Sequence, residues 1–301
     1  MQQQKKAYTL ALLSIGFWCT MGTAFKLTLG YVNPSLLLLI VTTIAFVFLL
    51  VVMAASGRLK PIRNLTSRDL LASALMGLFN PFLYYMVLFK AYSMIPAQEA
   101  VTLNYLWPVM LVIFSMIFLH QKITTISFIA ILVSFFGTVI IATHGNPGTF
   151  RFENPLGVSL AAGSSVFWAS FWILNMKDKR DDISKMTMNF LFGLIYILAW
   201  NIATSNFALP PVKGIIGSVY IGIFEMGLTF VLWLTALKLS ANTARVSNLV
   251  FISPFLSLLL VSIFVGEKIL ASTIVGLAFI VGGILLQAYS AKSNLKAGFK
   301  D

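Results

Sequence analysis

Among 301 residues, the carboxylate of Glu225 is the one ionisable group near the middle of a long apolar run. A charge in such a run is costly and defaults to a functional reading. Glu225 is either a contact for a substrate amine or a protonatable coupling group, or else the acceptor of an interhelical hydrogen bond. Thr229, four residues on, shares its helical face. Asn80 and Tyr84 form the same spacing earlier in the chain. Two polar spots thus fall inside apolar segments.

Aromatic residues accompany them. Asn104, Trp107 and Leu111 share one helical face, as do Ser14, Trp18 and Met21, and Ser164, Trp168 and Asn175. Tryptophan is usual at membrane interfaces, yet Trp18, Trp107 and Trp168 lie within their runs. They suit the wall of a cavity for an apolar or aromatic solute, with few placed polar groups. Cation–π contact with an amine is available there, and core packing is the competing reading for each ring. The substrate-binding candidates are therefore Trp18, Asn80, Tyr84, Asn104, Trp107, Trp168, Glu225 and Thr229.

Other chemistry is poorly supplied. Cys19 is alone, and His120 and His144 cannot build a metal site by themselves. No CxxC, HExxH or phosphate-loop motif occurs. No catalytic residue, metal or cofactor is expected. Glu99, just after Pro96, suits the first turn of a helix, where acids are favoured. Arg245 occupies the equivalent place later on. It either attracts a substrate carboxylate or marks a cytoplasmic end.

The elements that hold these residues follow from composition. The chain is 59% hydrophobic and 10% charged, with mean hydropathy +0.92. Soluble domains carry about 25% charged residues, so too few polar groups exist to cover a water-facing surface. About 20 apolar residues cross a bilayer as a helix. Ten segments qualify: 7–26, 35–55, 70–90, 97–119, 124–143, 156–175, 186–204, 214–237, 242–265 and 270–290. Their length and lack of period-2 alternation favour helices over barrel strands. Lys5 and Lys6 before an apolar run imitate a signal peptide, but segment 11–25 has a later copy.

With the N-terminus taken as cytoplasmic, sixteen of the 21 Lys and Arg fall at cytoplasmic ends. That bias sets both termini inside. It also accounts for the net charge of +12 without nucleic acid.

The chain repeats itself. MGLFNPFLYYMVLFKA (76–91) resembles IGIFEMGLTFVLWLTA (221–236), which pairs Asn80 with Glu225. Pro108 matches Pro254, Gln121-Lys122-Ile123 matches Glu267-Lys268-Ile269, and Gly137 matches Gly283. Ser14, Phe17 and Trp18 match Ser164, Phe167 and Trp168. Residues 1–147 and 148–301 are thus read as two five-helix units. Five is odd, so the second enters the membrane from the other side. The fold class expected is an all-α membrane protein of ten transmembrane helices in two inverted repeats. Pro108 and Pro254 should bend spans 4 and 9, and the small-residue face from Gly276 to Gly283 suits close helix packing.

With these residues in view, the chain resembles the EamA family of the drug/metabolite transporter superfamily. The resemblance covers nearly all of it. Asn104-Tyr105-Leu106-Trp107-Pro108, with Glu99 before it and Gln121-Lys122 after it, resembles a segment of bacterial aromatic amino-acid exporters. Trp18-Cys19-Thr20-Met21 does so too. The resemblance implies a cavity lined by spans 1, 3, 4, 6, 8 and 9, with spans 5 and 10 peripheral. It implies secondary export of small metabolites such as amino acids, by alternating access without ATP hydrolysis. Related small multidrug resistance proteins carry a glutamate in their first span. Spans 1 and 6 here have no acid, so the resemblance does not bring a proton-coupling mechanism with it.

A carrier of drugs, nucleosides, sugars or lipid-like solutes shares this fold and is the alternative. An intramembrane enzyme would need clustered acids or histidines, and a channel has less use for an inverted repeat. The partners expected are a small-molecule substrate and the lipid bilayer, with no nucleic acid. Nothing in the sequence requires more than a monomer. The short loops fit a bacterial plasma membrane.

Overall fold

The computed structural model describes residues 2–58, 65–119, 125–146, 154–205, 207–240 and 248–297. Among them every regular element is helical. The first is α1 (Gln2–Leu29). Asn33 caps α2 (Pro34–Ala55) by accepting the Leu36 N–H at 2.9 Å, with Pro34 preset for the first turn. Thr66 and Asp69 form a reciprocal capping box at the start of α3 (Ser67–Gly77). A π turn, Leu78–Leu83, then leads into α4 (Tyr84–Met94).

Span 4, expected as one helix, is two: α5 (Ala97–Asn104) and α6 (Trp107–Leu119). The cause is Pro108, which has no N–H to offer the Asn104 carbonyl. Tighter bonds replace it, from Leu106 N–H to Leu103 O and from Val109 N–H to Leu106 O. After α7 (Thr125–Ala142), Asn154 caps α8 (Pro155–Lys177) and Asp181 caps α9 (Asp182–Thr204). Then α10 (Val212–Ile221), a second π turn at Gly222–Gly227 and α11 (Leu228–Leu239) repeat the broken pattern of α3 and α4. A 3₁₀ turn (Asn248–Ile252) opens α12 (Ser253–Val265) just before Pro254, and α13 is Ala271–Ala297. Arg245 and Gln121-Lys122 lie outside the described residues.

Among the described residues, six helical stretches are long and apolar enough to cross a membrane: Gln3–Leu29, Pro34–Ala55, Ser67–Met94, Pro155–Asn175, Asp182–Thr204 and Val212–Leu237. Shorter apolar helices cover Phe128–Ile141, Ser253–Val265 and Ala271–Leu286.

Packing follows a reciprocal scheme. Helix α1 lies against α11 and α12, while α8 lies against α4 and α6. Helix α2 packs on α9, and α7 on α13. The last pair approaches through glycines. A Cβ on Gly137 would sit 2.5 Å from the Gly276 carbonyl oxygen, and one on Gly276 would sit 2.6 Å from that of Gly137. Neither contact can relax by a rotamer change. Gly276→Val is therefore expected to cost at least the ~1–3 kcal/mol of an overpacked core. Thermal unfolding in detergent should show a lowered Tm, and Gly282→Ala, which meets nothing within 4 Å, should not.

The helix ends fall into two groups. At one end Lys26 Nζ donates to the carbonyls of Tyr92 (3.0 Å) and Ile95 (2.7 Å). The Glu267 carboxylate accepts the N–H groups of Ala97 (2.8 Å) and Gln98 (3.1 Å). Lys213 lies over the Tyr31 ring there. At the other end Arg58 pairs with Asp181 at 3.0 Å, and Arg180 grips Asp178 and reaches Ser73. Burial pushes the Asp178 carboxyl up, but Arg180 outweighs it and the net is below the ordinary 3.8. Its contribution to stability is thus present above about pH 3.8 and is lost as pH falls through the lowered folded value.

Candidate substrate-binding site

A cavity of about 100 Å³ lies where α1, α4, α5, α6, α8, the second π turn and α12 meet. Helix α1 supplies Trp18, Met21, Gly22 and Phe25 on successive turns of one face, and α4 supplies Tyr84, Leu88 and Tyr92 likewise. Gly22 permits the close approach of α1 to its neighbours. A Cβ there would lie 2.5 Å from a Val101 methyl and 3.0 Å from Ser257 Oγ.

The break before α6 puts Asn104, Tyr105 and Trp107 on the cavity wall. Asn104 is fixed at both ends: its Oδ1 accepts from Tyr84 OH at 3.2 Å, and its Nδ2 donates to Ser164 Oγ at 2.8 Å. Trp168 packs on the Tyr84 ring at 4.6 Å and on Phe230 at 6.0 Å. Trp18 meets Trp233 at 5.1 Å. Partners of this kind hold each ring in one orientation.

Glu225 sits on the second π turn and is 7% exposed. π turns recur at functional sites because they re-aim a side chain within a helix. Glu225 Oε1 accepts from Tyr85 OH at 3.0 Å, and Oε2 is buried with no protein partner. A carboxylate oxygen left without a donor is expensive. The residue lines a cavity with ring walls, an arrangement that suits the N–H groups of an ammonium.

Six sequence candidates come together around this space: Trp18, Tyr84, Asn104, Trp107, Trp168 and Glu225. Asn80 and Thr229 are not among the lining residues. Asn80 is fully buried, and neither polar atom of its side chain has a partner. Thr229 turns its hydroxyl back onto the Phe224 carbonyl of its own helix. Glu99 lies apart and pairs with His144 Nε2 at 2.8 Å. Sequence reasoning missed Tyr85, which holds Glu225, and Tyr92 and Ser257 on the wall. The available signal was the ring stripe Tyr85, Phe89, Tyr92 at helical spacing. Among the described residues no group of three or more His, Cys, Asp or Glu is placed to hold a metal ion.

Known proteins resemble this chain over most of its length. The model of the EamA-like transporter family matches residues 5–143 and 155–289. An "Uncharacterized transporter" of Clostridium kluyveri is 27% identical, over 97% of this chain and 95% of its own length. The "Aromatic amino acid exporter YddG" of Ancylobacter novellus is 24% identical, over 96% of this chain and 99% of its own. A "Probable terminal-alkyne amino-acid exporter" of Streptantibioticus cattleyicolor is 24% identical over 93% of each. A solved crystal structure superposes with a TM-score of 0.68 at 23% identity, covering 95% of this chain and 98% of that one.

Proposed function

We propose that this chain, which belongs to the EamA-like transporter family, is a secondary active carrier that exports small amino-bearing metabolites, amino acids first. The observation that carries this reading is Glu225, with one oxygen unengaged at a ring-walled cavity between helices from both halves of the sequence. Two relatives are named for the export of amino acids, one of them aromatic. A ring-lined space with one carboxylate fits the amine and apolar body of such a solute.

The reading includes ten spans in two inverted repeats, 1–147 and 148–301. Three features support it. The π turns at Leu78–Leu83 and Gly222–Gly227 interrupt matched spans, and tight turns precede Pro108 and Pro254 alike. The packing of α1 on α11 and α12 is mirrored by that of α8 on α4 and α6, as a two-fold exchange of halves requires. The helix ends tied by Lys26 and Glu267 belong to loops of one predicted face, and those tied by Arg58 and Arg180 to the other. The charge bias puts the second face, with both termini, in the cytoplasm. The setting is a plasma membrane.

The cavity is small beside the ~300–1,000 Å³ of drug-sized ligand sites. Cargo therefore enters as the halves part on one side, and alternating access is the mechanism. Proteoliposomes loaded with unlabelled aromatic amino acid should take up labelled cargo by counterflow, with saturation. Flux that does not saturate and is carried as conductance would mean a channel instead.

A further inference from the structure

We propose that a cleft between the start of α3 and the end of α8, remote from the central cavity, holds the phosphate of an anionic phospholipid. The cleft has a volume of about 640 Å³. Its rim carries Arg68, Lys177, Lys179 and Arg180 against Asp69 and Asp178. The two acids are already engaged. Asp178 takes the Nε and Nη2 groups of Arg180 at 2.6–3.0 Å. Asp69 Oδ2 accepts from the backbone and hydroxyl of Thr66 at 2.9 and 2.7 Å.

Arg180 is spent as well, because its Nη1 donates to the Asp69 carbonyl and Ser73 Oγ. Arg68, Lys177 and Lys179 are exposed and make no ion pair within 4 Å among the described residues. The cleft is left with cationic donors that touch no carboxylate among the described residues, Arg68 feeling Asp69 only at longer range.

The walls select the kind of anion. Ala72, Leu75, Met76 and Leu174 make the inner side apolar. On α3 the apolar surface continues outward, with Leu71 72% exposed and Leu75 44%. A free phosphate has no use for such a wall. A phospholipid has, since its phosphodiester meets the cations while a glycerol-linked chain runs along α3. This end is the one assigned to the cytoplasm, where the leaflet surface is negative and basic pockets between helices bind lipid head groups.

The test is native mass spectrometry of the full chain released from micelles doped with equal phosphatidylglycerol and phosphatidylcholine. The expected result is a retained phosphatidylglycerol adduct, which falls at least fivefold in the triple variant Arg68→Gln/Lys177→Gln/Lys179→Gln. Lys90→Gln/Lys213→Gln, at the other end, should keep it. Should the triple variant fail to fold, Lys179→Gln alone should still lower the adduct. Equal retention of both lipids, an adduct unchanged in the cleft variants, or full displacement by millimolar inorganic phosphate would overturn the proposal. None of these readouts depends on transport, so the carrier reading stands or falls separately.

Discussion

Glu225→Gln weakens the cargo's hold at least tenfold, measured as a rise in half-saturation for counterflow of an aromatic amine or amino acid. Glutamine keeps the shape and still offers an oxygen to Tyr85 OH, the present donor to Oε1 at 3.0 Å. Insertion and yield are therefore expected to match the parent. What disappears is the carboxylate of a residue that lines the cavity. A hydrogen bond to a charged group is worth ~1.5–3 kcal/mol, which converts to about 10- to 100-fold in affinity. Tyr85→Phe gives a smaller loss, because it removes only the group that orients the carboxylate. Trp168→Ala also weakens binding, since Tyr84 loses the ring against which it packs at 4.6 Å. An unchanged half-saturation and pH profile in Glu225→Gln would remove this residue from cargo binding.

Glu267→Ala opens the opposite route. The Glu267 carboxylate accepts the N–H groups of Ala97 and Gln98 at 2.8 and 3.1 Å, at the start of α5. These are orphan donors of a helix N-terminus, where negative charge is favoured. Gln98 answers by donating to the Lys268 carbonyl and accepting from Leu270 N–H and Thr273. Lys26 ties α1 to the last carbonyls of α4 on the same side. The end assigned to the exterior is thereby closed between the two halves by the Glu267 and Gln98 bonds, while Lys26 braces the first half beside them.

Two such bonds at ~1.5–3 kcal/mol each are lost in Glu267→Ala. The populations of closed and open forms then shift by on the order of 100- to 10,000-fold. A cysteine at Ser257, on the cavity wall, reports the change in a Cys19→Ala background. An impermeant maleimide added outside should label it at least tenfold faster once Glu267 is alanine. An equal rate would mean that this contact does not restrain the exterior.

Much of the architecture was legible in the sequence because lipid leaves few options. Long apolar runs without alternation can only be helices there, Pro108 announced the break in span 4, and a 3₁₀ turn precedes its match Pro254. The interruption of span 8 was not legible. Pro81 marks the first π turn, but Gly222–Gly227 contains no proline, and its two glycines are a weaker signal of a break.

That same feature explains the site. Alignment pairs Asn80 with Glu225, yet Glu225 borders the cavity and Asn80 does not. In the first turn Asn80 itself is extended (φ −148°, ψ 121°), and no residue inside the second turn departs from helical backbone in that way, so the two turns aim their polar residues differently. The tyrosine that holds Glu225 was hidden for another reason. Tyr85 and Glu225 lie 140 positions apart, and only the packing of α4 near the second π turn brings them together.

The antiparallel placement of the halves is tested most directly by labelling Ser56→Cys and Leu209→Cys, each in a Cys19→Ala background. Both native residues are exposed, and they sit in corresponding loops of the two copies. With an impermeant maleimide, the expected result is reaction of the cysteine at 56 only from the cytoplasmic side and of that at 209 only from outside. Reaction of both from one side would contradict it, and a carrier that rocks between inverted halves could not be built from this chain.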